Sequence, residues 1–407
     1  MPAQRRVIGT EAVTEAHRRG QRQLEVLPED IVTALALESA QRLGIELVDG
    51  PLATTPPPLA DSATRTQRSL YRRSPRWHTR ATRTTHQWQP LNKLALVGAG
   101  GVGCNIAHLA ANSNLARHIE LIDITPGLAA ATALDLHHAA GISVSAATLN
   151  GGTELSAVAG ADVVVVTAGR PRTPGMTRND LLELNHRVIR TCASTIATAA
   201  PEAVVIVVTN PLDEMTLAML QETEFPRERV LGMAGTLDSA RFRVALAAAS
   251  GCRPGDVEAL TLGSHGDEMV PVTSLARIKG RPVTDMLDDA TLQSCVNTAV
   301  GGGGAVVALR KTGSATIAPA HAVIEVLEHM CGIRRGWVPV SIQLQGEYGF
   351  NSIVMGVPVH LGATGMTAIE TLPLNTTELA ALQQAAARCA AQQGITPAQA
   401  VPGLQTA

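Results

Sequence analysis

Lysine is nearly missing. Only Lys93, Lys279 and Lys311 occur among the 33 basic residues of this 407-residue chain, so almost every positive side chain is an arginine and a single surface arginine carries little information. Excess charge of either sign is also missing. The formal net charge of −2 excludes a molecule built to grip nucleic acid by bulk electrostatics. The six cysteines (Cys104, Cys192, Cys252, Cys295, Cys331 and Cys389) include no C-x-x-C pair, which removes the usual zinc and dithiol motifs. They read as reduced thiols of a reducing compartment, and no metal is expected. No apolar run approaches the length of a membrane span, and no membrane partner is expected. The stretch from Met1 to Gln23 lacks the apolar core of a secretory signal, so a cytoplasmic location is expected. What is present is ordinary globular composition, 45% hydrophobic and 17% charged. At roughly 100–200 residues per domain, the length implies two or three domains.

Composition changes near residue 90. Residues 1–26 read as a flexible tail. Residues 28–43 read as one helix, with Pro28 at its first position, Glu29 and Asp30 at its positive end, and Gly44 as its stop. Ile45 to Val48 suit a short strand. Residues 51–90 carry three consecutive prolines, many Ser and Thr, and seven arginines against the single acid Asp61, a basic and disordered linker. No internal repeat is apparent. From Leu94 onward, apolar strands such as Asp162–Thr167 and Val204–Thr209 alternate with Ala-rich helical stretches. Fully apolar strands separated by helices mean an α/β, doubly wound parallel sheet. Past Gly232 the pattern becomes mixed. The expected organisation is an N-terminal extension (1–90), a dinucleotide-binding domain (91–235), a mixed α+β domain (236–395) and a flexible tail (396–407).

The strand Leu94–Val97 runs into Gly98-Ala-Gly100-Gly101-Val102-Gly103 and then a helix. That context makes G-x-G-x-x-G a dinucleotide fingerprint of the Rossmann type. Gly98 permits the tight turn, Gly100 lets a pyrophosphate approach the backbone, and Gly103 lets the helix pack on the strand. The helix N-terminus then faces the phosphates. Asp123 ends the next strand, where a carboxylate binds the adenosine ribose hydroxyls. No Lys or Arg from Ile124 to His137 is present to accept a 2′-phosphate, so the expected cofactor is NAD. Thr167, Ala168 and Gly169 end a further parallel strand at the edge where ligands bind in open sheets.

Six ordered motifs resemble those of the lactate/malate dehydrogenase family, most closely its malate dehydrogenases of the lactate-dehydrogenase-like branch. They are Val97-Gly-Ala-Gly-Gly-Val-Gly103, Ala168-Gly-Arg-Pro-Arg-Thr-Pro-Gly-Met-Thr-Arg178, Thr209-Asn-Pro-Leu-Asp213, Gly232-Met-Ala-Gly-Thr-Leu-Asp-Ser-Ala-Arg241, Gly263-Ser-His-Gly-Asp267 and Lys311-Thr-Gly-Ser-Ala315. The resemblance covers about Lys93 to Cys389. It implies that His265 is the acid/base, giving a proton to a keto oxygen in reduction and removing it in the reverse direction. Asp238 would hold the tautomer of that ring and stabilise its imidazolium. Asp238 and Arg241 lie three apart, so on a helix they share a face.

By the same resemblance, Arg241 clamps the C1 carboxylate of the substrate, Arg178 polarises its carbonyl, and Arg172 binds a second carboxylate. Arg172 and Arg178 lie in a Pro- and Gly-containing segment suited to a mobile lid. Asn210 would bond the substrate oxygen beside the nicotinamide, Ser314 would line the same pocket, and Asn185, Thr209 and Val102 would join the cofactor contacts. An arginine at 172 favours a dicarboxylic substrate, the oxaloacetate/malate pair, because a closed lid over pyruvate would leave that charge unpaired. Lactate or another 2-hydroxy acid is the alternative. The family context is the carboxylic acid metabolism of the tricarboxylic acid cycle, in homodimers or homotetramers. Two stretches depart from the family pattern, Ala129–Ala133 and Thr316-Ile-Ala-Pro-Ala-His321.

The core family does not need residues 1–90. Their helix and Leu35–Leu47 faintly resemble terminal segments of proteins packaged in bacterial microcompartments, which implies a docking partner. Contact of the basic linker with RNA through Trp77 and Trp88 is a weaker alternative. An organelle address is opposed by Glu11, Glu15, Glu25, Glu29 and Asp30. The simplest reading is a solvated appendage.

Overall fold

The Val- and Ile-rich strands around the glycine fingerprint are buried on both faces, and this decides the architecture. In the computed structural model, residues 6–27, 30–49, 88–143, 145–170, 177–266, 268–311 and 313–400 are described. They fall into two units, divided near Tyr71.

The first unit carries β1 (Val7–Ile8), α1 (Thr10–Arg18), β2 (Gln23–Val26), β3 (Ile31–Val32), α2 (Ala34–Leu43) and β4 (Glu46–Asp49). Residues 6–26 are therefore folded and not a flexible tail. The helix expected from Pro28 begins only at Ala34. Thr33 caps it by accepting the Ala36 N–H, and Ile31 and Val32 are used as a strand. Pro28 and Glu29 lie outside the described residues. The unit is also a structural repeat that the sequence reading missed. β1 pairs in parallel with β3, β2 pairs in parallel with β4, and each helix is followed by a glycine at positive φ, Gly20 or Gly44. Val13, Ala36, Ala40 and Ile45 form its core. The linker expected at 51–90 lies almost wholly outside the described residues.

In the second unit the strands β5 (Leu91–Val97), β6 (Ala116–Ile122), β7 (Thr148–Gly152), β8 (Val163–Val166), β9 (Val204–Val207) and β10 (Val230–Gly232) are joined in parallel, in the order β7-β6-β5-β8-β9-β10. The chain starts in the middle, builds outward, returns and builds the other way. That is the doubly wound pattern with its switch point between β5 and β8. Successive residues of β5 serve opposite cores. Leu94 and Leu96 join one, Ala95 and Val97 the other. The connections include α3 (Gly101–Asn112), α4 (Leu128–Ser143), α5 (Arg178–Ala199) and α6 (Leu212–Thr223).

Beyond β10 come α7 (Gly235–Ser250), β11 (Val257–Glu258), β12 (Thr261–Gly263), β13 (Met269–Pro271), β14 (Arg277–Ile278), β15 (Arg281–Pro282), α8 (Asp289–Arg310) and α9 (Ile317–Met330). They are followed by β16 (Trp337–Gln345), β17 (Asn351–Gly362), β18 (Gly365–Ile369), α10 (Thr376–Gln392) and α11 (Pro397–Ala400). β16 pairs antiparallel with β10, and β17, β12 and β13 extend the same sheet outward. The mixed half is thus continuous with the parallel half. The expected tail at 396–407 is helical over Pro397–Ala400, and Ala400 is buried. By length and composition, α8 is apolar enough to cross a membrane. Its glycines Gly302 and Gly303 approach Arg241 instead.

Candidate active site

Two clusters converge from separate parts of the sheet. The first is the glycine turn at the switch point. Gly98 has φ +108°, and a Cβ there would stand 2.5 Å from Thr167 Oγ1. Thr167 donates from that hydroxyl to the Gly98 carbonyl at 3.1 Å, which locks the turn to the end of β8. A Cβ on Gly103 would stand 1.9 Å from the Gly98 carbonyl oxygen, so α3 approaches β5 only because that side chain is missing. A Cβ on Gly100 would meet no heavy atom within 4 Å, which leaves room over the helix N-terminus for a phosphate. Gly101 lies against the Thr316 methyl group, so one of the departures from the family pattern touches this turn; Ile317 and His321 are exposed.

Asp123 stands at the end of β6. Its carboxylate accepts the N–H groups of Ala99 (2.8 Å) and Thr125 (2.9 Å). Partial burial opposes its ionisation, but the Thr125 and Ala99 donors prevail and hold its pKa below the ordinary value. A fixed carboxylate, an open glycine turn and a helix N-terminus fit an adenine dinucleotide with a free ribose 2′-hydroxyl. Gly98, Gly100, Gly101, Val102, Gly103 and Asp123 would hold it.

The second cluster lies on α7 and the β12–β13 loop. His265 Nδ1 and Asp238 Oδ2 are 2.8 Å apart, and the other Asp238 oxygen accepts from Arg241 Nη1 at 3.0 Å. α7 delivers both Asp238 and Arg241 on one face, as their spacing requires. Asp238 is buried. Burial lowers the His265 pKa, but the Asp238 charge and hydrogen bond outweigh it and the net shift is upward. With Nδ1–H directed at Asp238, Nε2 is the nitrogen left for proton exchange. Arg241 is flanked by Gly302 and Gly303; a Cβ on Gly302 would stand 3.1 Å from the Arg241 Cδ, and one on Gly303 would be in ordinary contact with the guanidinium.

Asn210 lies three residues before Asp213, which accepts the His265 N–H. It follows β9, is exposed, and begins a cis peptide bond to Pro211. Asn185 is buried under this turn. Its amide donates to the carbonyls of Asn210 (2.6 Å) and Arg170 (3.1 Å), and its oxygen accepts the Arg170 N–H (2.8 Å). Its hydrogen bonds therefore brace the backbone at the ends of β8 and β9. Thr209 braces it too, donating to the Ala168 carbonyl at 2.7 Å. Gly169 sits so close to the Thr209 methyl and Asn185 that only glycine fits. Ser314 is exposed between α8 and α9. Arg178 is the first residue of α5, whose start is fixed by reciprocal bonds between Thr177 and Asp180. Arg172 and the rest of the expected lid, 171–176, lie outside the described residues.

Sequence reasoning missed Asp213, Ser264 and Ser341. The buried Asp213 carboxylate accepts the Ser264 hydroxyl (2.7 Å), the His265 N–H (2.9 Å) and the Ser341 hydroxyl (2.6 Å). The Asn-Pro-x-Asp run was visible in the sequence, but its partners are 51 to 128 residues away.

Comparison with known proteins identifies the family. Residues 92–232 match the lactate/malate dehydrogenase, NAD binding domain, and residues 235–393 match the lactate/malate dehydrogenase, alpha/beta C-terminal domain. The malate dehydrogenase of Roseiflexus sp. (strain RS-1) is 41% identical over 294 residues, 72% of this chain and 95% of that protein. That of Trichormus variabilis is 43% identical over 296 residues, 73% of this chain and 91% of that protein. Among solved structures, Cryptosporidium parvum malate dehydrogenase aligns with a TM-score of 0.72 at 34% identity, covering 74% of this chain and 98% of that one. The lactate dehydrogenase of the same organism, complexed with lactic acid and nicotinamide adenine dinucleotide, also aligns at 0.72, with 32% identity, 75% of this chain and 98% of that one covered. The equal scores mean that backbone shape does not separate the two substrates. The chain belongs to the lactate/malate dehydrogenase family, with its NAD-binding domain followed by the family's α/β C-terminal domain.

Proposed function

We propose that the protein is an NAD-dependent malate dehydrogenase that interconverts malate and oxaloacetate. The observation that carries the reading is the His265–Asp238–Arg241 cluster, whose His265 N–H is held by Asp213, three residues beyond Asn210 at the end of a dinucleotide-binding sheet. NAD supplies the hydride acceptor for malate oxidation and, reduced, the donor for oxaloacetate reduction. Asp123 and the glycine turn orient it. Arg241 holds the C1 carboxylate by charge and planar geometry. Asn210 orients the substrate oxygen. His265 Nε2 gives that oxygen a proton in reduction and takes it back in oxidation, while Asp238 stabilises the imidazolium. Arg178 polarises the carbonyl and Arg172 takes the second carboxylate, the feature that favours four-carbon dicarboxylates. Support for malate over lactate comes from Arg172 and from relatives carrying the malate dehydrogenase name. The test is NADH oxidation with oxaloacetate and with pyruvate at matched concentrations. Oxaloacetate is expected to win by more than 10-fold in kcat/KM, and equal or reversed preference refutes the assignment.

A second reading concerns the N-terminal unit, which docks the enzyme on a larger assembly of the microcompartment kind. Its support is a set of exposed apolar side chains in that unit. The paired residues Val7 and Ile31 are 62% and 50% exposed, and Leu35 and Leu37 of α2 are 67% and 48% exposed. The full-length protein is expected to co-sediment with purified shells, and a Leu35→Asp/Leu37→Asp variant is expected to stay in the supernatant. Equal recovery of both rules docking through these side chains out.

A further inference from the structure

Three acids are buried among the described residues: Asp213, Asp238 and Glu378. Asp238 pairs with His265. Glu378 accepts from Asn375 and Ser274 at the start of α10, a capping arrangement that fixes a helix end far along the chain. Asp213 has neither role. It lies in the first turn of α6, three residues beyond Asn210, and its carboxylate gathers three donors from two other segments. The His265 N–H and Ser264 hydroxyl meet on Oδ2, and the Ser341 hydroxyl from β16 reaches Oδ1. The bond to His265 is to its own backbone, so the residue whose ring exchanges the proton is anchored directly. The opposite side of the Asn210 turn is fixed by Asn185.

We infer that Asp213 is a positioning residue that sets the distance between the His265 ring and the Asn210 amide. This deepens the proposed dehydrogenase reading and rests on it. Proton transfer requires the imidazole within hydrogen-bond reach of an oxygen that Asn210 orients. The two groups come from chain segments more than 50 residues apart, and Asp213 is the side chain that bonds one segment while belonging to the other. A shift of about 1 Å between reacting groups costs on the order of 10²-fold in rate. The carboxylate thus acts on catalysis through His265 without touching substrate. Of the charged groups bearing on the ring, Asp238 and Arg241 come from α7 and Asp213 from α6.

The test uses the full-length protein with two variants. Asp213→Ala removes all three bonds. Asp213→Asn keeps an oxygen for the His265 N–H and Ser264 hydroxyl and an amide that can donate to Ser341 Oγ. Asp213→Ala is expected to lower kcat about 10²-fold with NADH affinity within twofold of wild type. Asp213→Asn is expected to recover at least a tenth of wild-type kcat. A second readout needs no substrate. Carbethoxylation by diethyl pyrocarbonate, followed peptide by peptide, should modify His265 faster in Asp213→Ala while the buried His329 stays protected. Unchanged kcat and unchanged His265 reactivity in Asp213→Ala overturn the inference. So does exposure of His329 in both variants, which would assign Asp213 to general stability. So does equal loss in the two variants, which would assign its effect to charge. Failure of the wild type to reduce oxaloacetate would sink the dehydrogenase reading instead, and the His265 reactivity would still decide the role of Asp213.

Discussion

Replacing His265 by alanine is expected to reduce kcat for oxaloacetate reduction by about 10²–10⁴-fold while NADH affinity stays within twofold. In the proposed mechanism the ring exchanges the proton, whereas the proposed dinucleotide cradle is built on other elements, β5, α3 and β6. The pH dependence gives the assignment a sign. Reduction consumes the imidazolium, so its rate falls as pH rises through the His265 pKa. Malate oxidation needs the neutral ring and rises through the same pKa. Asp238 holds that pKa above the ordinary histidine value, so reduction should persist to higher pH than an unassisted histidine allows. Asp238→Asn removes the largest upward influence and should move both limbs toward lower pH. Measurement of kcat against pH in both directions, for wild type and Asp238→Asn, checks this. Near-normal turnover by His265→Ala, or limbs that do not move in Asp238→Asn, would remove His265 from the acid/base role.

Arg172→Gln is expected to lower kcat/KM for oxaloacetate by about 10²–10³-fold and to raise that for pyruvate. Truncating one member of a desolvated, hydrogen-bonded charge pair costs about 2–5 kcal/mol, because the other charge is left buried and unpaired. In the variant that stranded charge is the second carboxylate of oxaloacetate. In the wild type with pyruvate it is the arginine itself. Glutamine removes the second penalty while creating the first, so the two constants should move in opposite directions. Arg241, which would hold the carboxylate common to both substrates, provides the contrast: Arg241→Gln should weaken both alike. Steady-state kinetics with the two keto acids measures the shift. A parallel fall for both substrates in Arg172→Gln would mean that this arginine does not read the second carboxylate.

The parts of the site that were legible in the sequence are those whose function is local. The strand, Gly98, Gly100, Gly103, α3 and Asp123 lie within one βαβ unit, and each residue type is demanded by its own backbone position. Gly103 is such a case, since any side chain there would collide with the Gly98 carbonyl. That Asp238 and Arg241 share a helical face was likewise readable from their spacing; their ion pair was shown only by the structure. The N-terminal region was misread for the converse reason. Strands of two residues such as Val7–Ile8 and Ile31–Val32 are too short to show a period, and the Pro28-Glu29-Asp30 run is a strong helix-start signal. In the structure Thr33 caps α2 instead, and Ile31 and Val32 gain a parallel partner in β1.

The sequence alone determined the order of strands and helices in the NAD-binding half and the glycine turn with its following acid, because these follow from short-range periodicity and glycine sterics; the residues proposed to carry the chemistry were implied by the family resemblance. It did not determine their distances. His265 and Asp238 are 27 residues apart, and Asp213 bonds Ser264 across 51 residues and Ser341 across 128. Serines and a short acidic side chain carry no periodic signal of their own. Their convergence was decided only when the sheet continued from β10 into β16, β17 and β12, which carried the His265 loop to the end of α6. There, burial left the Asp213 carboxylate no water to bond, and the three donors became its partners.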